Sequence, residues 1–359
     1  MTLRVAAITT GSRTPSSRFR VRQHIKPLRD YDIVVREFIP VVDDRVESAL
    51  RFVHPKSVRI RDFPPAYPFY AAHLAARVAA HLPGIVSSRR YDVTWLSRGL
   101  CEGWHTLESK LGKPLVLDVD DAIWLREPFG ERQARGAAQR ADVVVVCNDY
   151  LAEWFAPHCK RIEHVATAVD GEVFFPVDTR ADDRFVIGWT GTSSNFRYLA
   201  NMRHALAAFL RHAPDARLRI VADARPTGLE LPEHAVEFVQ WSEADEARAV
   251  QTMDVGIMPL VDDAWTRGKC AFKVIQYMAC GLPVVASPYG MNAEAMGCGT
   301  VGMTATNDQQ WLDALVFLYE QRDEARRIGA AARRAFLERF DLPVATRKLA
   351  EIFLSLRPS

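Results

Sequence analysis

The sequence predicts an α/β protein made of two doubly wound parallel-sheet domains. Three observations carry this expectation. Runs such as ADVVVVC (141–147) are continuously apolar, as parallel strands covered on both faces must be. Such runs alternate with amphipathic stretches in two blocks, separated by a polar segment. A chain of 359 residues also exceeds one ordinary hydrophobic core.

In the first block, LRVAAITT reads as a buried strand, and SSRFRVRQHIKPL as a helix with Ser16 or Ser17 as N-cap. YDIVVREF is a strand, residues 40–64 are irregular and basic, and PFYAAHLAARVAAHL is an Ala-rich amphipathic helix. YDVTWLSR and KPLVLDVDD are strands flanking a short helix near GWHTLESK. ADVVVVC, the helix NDYLAEWF and the strand RIEHVAT complete the block. AVDGEVFFPVDTRADD is polar and contains a proline, so it reads as the linker. The second block opens with RFVIGWTG and the helix NFRYLANMRHALAAFLRHA. The strands ARLRIVAD and VEFVQW, the helix EADEARAVQTM and the strand DVGIMPL follow. After a helix from about residue 269 comes the strand LPVVASP, and helices dominate from NDQQWLDALVFLYEQ onward. The expected boundaries are 1–168 and 185–340 for the domains, 169–184 for the linker and 341–359 for a last helix.

Net charge is +2, so the chain as a whole is not a nucleic-acid-binding polycation, although residues 1–61 hold 13 Lys/Arg against 6 Asp/Glu. The six cysteines form no C-x-x-C pair, which leaves zinc and redox motifs unsupported and fits a reducing compartment. The N-terminus lacks the basic and cleavable features of an export signal, and no apolar run approaches about 20 residues. The expectation is a cytoplasmic protein. The basic first domain permits peripheral contact with the inner face of a membrane.

TRGKCAFKVIQYMACGLPVVAS (266–287) poses an electrostatic question. Lys269 and Lys273 are spaced to share one helical face near a helix start, with Arg267 just before. Cations are disfavoured there by the helix dipole, so a bound anion such as a phosphate is the better explanation. Gly281 reads as the C′ residue that ends the helix. IGWTGTSSN places Gly191, Thr192 and Ser193 in a strand-to-helix turn that fits an anion, with Ser193 or Ser194 as N-cap; an ordinary turn would read the same. TTGSRTPSSRFR repeats that geometry in the first domain with Gly11, Ser17, Arg18 and Arg20. LVLDVDDAIW brings Asp118, Asp120 and Asp121 within four residues. Carboxylates so close repel one another unless they bind a cation, accept from sugar hydroxyls or act as a base.

Taken together, these segments resemble the retaining family-4 glycosyltransferases of GT-B architecture, over nearly the whole chain. FKVIQYMACGLPVVASPYGMNAE resembles the family segment ending in Ala-x-Gly-x-Pro-Val-Val-Ala-Ser, a Gly and then a Glu. ATAVDGEVFFP resembles its hinge signature, with Ala168 in place of a glycine, and IGWTGTSSNFRYL resembles the opening of its second domain. The resemblance implies two Rossmann-like domains facing across a cleft. A nucleotide-diphosphate sugar would be held mainly by the second, and an acceptor (small molecule, glycan or lipid-linked) mainly by the first. It implies transfer with retention of configuration and no obligatory metal or other cofactor.

On that basis Lys269 and Lys273, with Arg267, Gly11, Gly191, Thr192 and Ser193, are assigned to the diphosphate, and Gln276, Trp241 and Ser242 to ribose and base. Gly290, Asn292 and Glu294 are assigned to the donor sugar. Asp120 is assigned to orientation or base catalysis, and Ser17, Arg18, Arg20 and Asp121 to the acceptor side. The chain also departs from the pattern. Gly268 and Gln276 stand where the family has two Glu, Thr192 and Tyr198 where it has Arg and Lys, and Asp120–Asp121 where it has His–Asp. Two alternatives follow. Asp118 and Asp120 could form the metal-binding D-x-D of a one-domain glycosyltransferase, or the chain could be a degenerate, non-catalytic subunit.

Overall fold

The computed structural model describes residues 2–12, 14–40, 67–177 and 184–357. All but the first residue of the basic segment 40–64, and residues 178–183 of the expected linker, lie outside the described residues. The chain divides into unit 1, residues 1–167 with 345–359, and unit 2, residues 168–344.

Unit 1 contains a six-stranded sheet in the order β2-β1-β3-β4-β5-β6. The strands are β1 (Leu3–Ile8), β2 (Ile33–Phe38), β3 (Val93–Ser97), β4 (Leu115–Val119), β5 (Val143–Val146) and β6 (Ile162–His164). Every pairing is parallel, and β3, β4 and β5 are buried along their whole length. That is why these segments read as unbroken apolar runs. Helix Tyr67–Ser88 packs on β1 and continues through Pro83. The segment after β1 is not the single capped helix the sequence suggested. It is a wide π-type turn, Ser17–Val21, followed by two short 3-10 turns, and neither Ser16 nor Ser17 caps it. π-type turns are concentrated at functional sites, and this one carries the buried Arg20.

Unit 2 contains the strands β7 (Val186–Gly191), β8 (Arg217–Ala222), β9 (Val236–Gln240), β10 (Val255–Met258), β11 (Val284–Ala286) and β12 (Gly302–Thr304). Their order is β12-β11-β10-β7-β8-β9, again all parallel. This is the doubly wound order whose direction reverses between β7 and β10, the place where such sheets bind ligands. The expected long helix after β7 breaks at Met202 into Phe196–Asn201 and Arg203–His212. Gly256 in β10 leaves room for the Tyr277 ring, which any side chain there would strike. Tyr277 Oη in turn accepts from Thr190 N at 3.0 Å, so helix Phe272–Ala279 is fixed against the end of β7. Gly281 takes φ +68° and ends that helix, as the sequence suggests. Among the described residues, no helix is long and apolar enough to cross a membrane.

His24 is buried in unit 1, with Nδ1 2.7 Å from Thr346 Oγ1. Burial, helped by the Arg20 charge, pushes its pKa down to about 3. Below the ordinary value of 6.5 the unfolded chain takes up a proton that the folded chain refuses. Stability is therefore lost as pH falls from 6.5 toward about 3, at about 1.4 kcal/mol per pH unit from this group. Urea midpoints across that window should fall less steeply for His24→Gln than for the parent. Parallel slopes would show that His24 does not resist protonation.

Candidate functional site

In unit 2 the sequence-assigned residues gather at the carboxyl end of the sheet, around the switch between β7 and β10. A methyl group on Gly191 would lie 2.5 Å from the Trp189 ring and 2.9 Å from Lys273 Cε. A larger residue there would press on the buried Trp189 ring and displace the lysine stem. Lys273 Nζ lies 6.0 Å from the Trp189 ring centroid, and Lys273 sits in the first turn of its helix, which holds no acidic residue. Thr192 Oγ1 lies 2.9 Å from Ser194 Oγ and accepts from Asn195 Nδ2 at 2.8 Å. Ser193 donates from both its backbone N (2.5 Å) and Oγ (3.0 Å) to Asp223. Neither Ser193 nor Ser194 acts as a helix N-cap.

The basic stretch is built differently from the sequence expectation. Residues Ala264–Arg267 form a separate turn of helix, closed by a capping box between Asp263 and Thr266. The next helix begins at Phe272, after Ala271 has taken a left-handed conformation, φ +51°. Lys269 and Lys273 therefore lie on either side of a helix boundary and do not share one helical face. The spacing rule failed because it assumed continuous helix across Gly268–Ala271. Lys269 Nζ lies 5.5 Å from the Trp265 ring centroid. Arg267 is bidentate on Asp262, at 2.6 and 2.9 Å, so its charge is already matched by a carboxylate.

A side chain on Gly290 would collide with the Arg267 carbonyl oxygen, and Gly290 has φ +53°. The turn at Arg267 and the loop after β11 are thereby brought together. In that loop Asn292 is buried; its Nδ2 donates to Ser287 O at 3.1 Å, while its Oδ1 has no hydrogen-bond partner among the described residues. Glu294 is half-buried. Gln276 is 1% exposed, and its amide donates to Glu246 Oε1 at 2.7 Å. Glu246 comes from another helix, so a carboxylate reaches this neighbourhood from an element the sequence comparison did not consider. Trp241 is exposed, and Ser242 Oγ donates to Asp245. Both follow β9, two strand spacings from β7, so Trp241 lies about 10 Å across the sheet end from Gly191.

In unit 1 the carboxylates that end β4 are used by arginines. Arg20 donates to Asp118 Oδ1 from Nε at 2.8 Å, and Trp95 Nε1 donates to Asp118 Oδ2 at 3.1 Å. Arg20 also donates to Val165 O at 2.7 Å. Both partners of this ion pair are almost wholly buried. Arg20 is thus an interior residue, and Ser17 beside it is fully buried. Gly11 and Arg18 remain half-buried near the end of β1, with Arg18 stacked on Phe19.

Asp120 and Asp121 share Arg98, whose Nε donates to Asp120 at 2.5 Å and whose Nη2 donates to Asp121 at 2.6 Å. Burial opposes ionisation of Asp120, but the Arg98 charge and hydrogen bond outweigh it and hold the carboxyl below its ordinary range. Asp120 is consequently a poor general base and a good fixed hydrogen-bond acceptor. Arg98 has φ +61°, a conformation that a non-glycine residue adopts at a cost and that clusters at functional sites. Sequence reasoning missed Arg98, Asp223 and Glu246. Arg98 carried a signal, since it directly follows β3, beside the strand β4 that the aspartates Asp120 and Asp121 directly follow. Among the described residues, no group of three or more His, Cys, Asp or Glu is arranged to hold a metal.

Residues 184–321 match the family model described as Glycosyl transferases group 1. No curated protein matches the chain. Among solved structures, sucrose-phosphate synthase from Thermosynechococcus elongatus superposes with a TM-score of 0.70 at 15% identity, covering 99% of each chain. Anabaena Alr3699/HepE, solved in complex with UDP and glucose, superposes with a TM-score of 0.71 at 18% identity, covering 98% of this chain and 100% of that one. An Escherichia coli structure titled trehalose-6-phosphate bound with UDP-2-fluoro glucose gives 0.64 at 11% identity, covering 98% of both chains. The fold is GT-B, with two Rossmann-like units, and the segment similar to the group 1 glycosyl transferases lies within unit 2.

Proposed function

We propose that this GT-B chain is a glycosyltransferase that moves a sugar from a nucleotide-diphosphate sugar to an acceptor hydroxyl, with retention of configuration and without an obligatory metal. The observation that carries the reading is the close approach of Gly191 to Lys273 at the strand-order switch of unit 2. It sets a glycine turn and a helix-start ammonium group side by side, as a diphosphate requires. Similar folds crystallised with UDP or UDP-glucose support a nucleotide-sugar donor.

In this reading Lys273, with Lys269, stabilises charge as it builds on the departing diphosphate. The bond from the anomeric carbon to the diphosphate oxygen breaks, and a bond from that carbon to the acceptor oxygen forms on the same face. The departing phosphate oxygen takes the acceptor's proton. Asp120, kept ionised by Arg98, accepts a hydrogen bond and orients a hydroxyl. The loop with Gly290, Asn292 and Glu294 holds the donor sugar, and the buried Asn292 Oδ1, which has no partner among the described residues, suits a sugar hydroxyl.

A panel of nucleotide sugars tests the reading, with release of nucleoside diphosphate and proton NMR of the product as readouts. Turnover with one donor, insensitivity to EDTA and an unchanged anomeric configuration are expected. Nucleotide binding without turnover of any donor would favour the non-catalytic alternative. Turnover abolished by EDTA would refute metal independence.

A further inference from the structure

We propose that the cavity beside the end of β4 in unit 1 is a saccharide-binding site. It would be the acceptor subsite of the transferase reading, on which this inference rests. The cavity measures about 740 Å³ and is lined by Trp124, Phe129, Arg126, Glu131, Arg135 and His105 among others. That volume accommodates a sugar of more than one ring or a glycoside.

Its lining combines flat apolar surface with paired charges. Phe129 is 51% exposed, and its ring packs edge-on against Trp104 with centroids 5.5 Å apart. Trp124 is stacked on Trp154 at 4.4 Å, which fixes the plane of its indole. Aromatic faces offer area for sugar rings at little conformational cost, and the polar side chains around them suit hydroxyls. Two of the three arginines in the wall face carboxylates, Arg135 with Glu131 at 2.6 Å and Arg126 with Glu102 at 3.0 Å, and Arg132 shares the lining with Glu127. With Glu102 beside the wall, three carboxylates balance the three arginines, and a neutral, hydroxyl-rich ligand fits that balance better than a phosphate does.

The frame is preformed. Gly103 has φ +81° and abuts the Glu127 carbonyl. Phe129 N donates to Gly103 O at 2.9 Å and Gly130 N to Arg126 O at 2.7 Å. The cavity is also connected to the aspartates. Glu102 bridges Arg126, in the wall, to Arg98, which holds Asp120 and Asp121. Ile123 N donates to Asp121 O at 2.7 Å, so the wall begins where the aspartates end.

The test is saturation-transfer NMR and calorimetry on the full chain with p-nitrophenyl gluco-, galacto- and mannopyranosides, with UDP and inorganic phosphate titrated separately. The parent should bind at least one glycoside, and Phe129→Ala should weaken that binding about five-fold or more while leaving UDP affinity unchanged. Phe129 is exposed, so this variant should fold; Trp124→Phe provides a second, conservative probe with the same expectation. The assignment is overturned if no glycoside binds the parent, if both variants bind glycosides as the parent does, or if phosphate displaces the glycoside. Glycoside binding that Phe129→Ala weakens, in a chain that binds no nucleotide, would uphold the saccharide site and remove the transferase reading instead.

Discussion

Arg20→Met should cost unit 1 about 3–5 kcal/mol of stability, the usual effect of removing one partner of a buried ion pair. Among the described residues, the Asp118 carboxylate would then be left in the core with only the Trp95 indole N–H as a side-chain partner. Burial already pushes the Asp118 carboxyl pKa upward, with Arg20 opposing that shift. Without the guanidinium the variant must protonate Asp118 to fold, so its stability should fall further as pH rises. Arg20 also donates to Val165 O, so the loss reaches the chain after β6. Arg20→Met combined with Asp118→Leu should recover most of the loss, because an apolar pair leaves no buried charge. Urea unfolding of the two variants decides it. Equal stability of Arg20→Met and the parent would mean that the pair is not structural.

Lys273→Met should lower donor-dependent turnover about 100- to 1,000-fold, the range seen when one group stabilising transition-state charge is removed. Methionine keeps an apolar stem against Trp189 and Gly191 and removes only the ammonium charge. Thermal stability should therefore stay close to that of the parent, which separates this effect from unfolding. Full turnover by the variant would return the residue to a packing role. Arg267→Met should do much less, because Arg267 already faces Asp262.

The fold was legible because its cause is local and repeated. Buried parallel strands must be apolar on both faces, and ADVVVVC or LPVVASP can satisfy little else. The glycine turn at 191 was legible for a similar reason, since a strand end next to a helix start constrains residue size. The arrangement of the basic stretch was not. Four-residue spacing predicts a shared face only if the helix is continuous, and Ala271 in a left-handed conformation interrupts it. Pairings between distant residues were hidden as well. Arg20 and Asp118 are 98 residues apart, and Arg98 and Asp120 are 22 apart. Only the β1-β3-β4 order brings these ends together, and that order is not written in any single segment. The same holds for Glu246, which reaches Gln276 from another helix.

The central claim is that unit 2 holds a nucleotide diphosphate between the Gly191 turn and Lys273. Calorimetric titration of nucleoside diphosphates, UDP first, into the parent and Lys273→Met tests it most directly. The account predicts that the parent binds at least one of them at micromolar concentration and that Lys273→Met binds it about ten-fold or more weakly, a loss of about 1.4 kcal/mol or more. Equal affinity in the two proteins, or no binding of any nucleoside diphosphate to the parent, would contradict it.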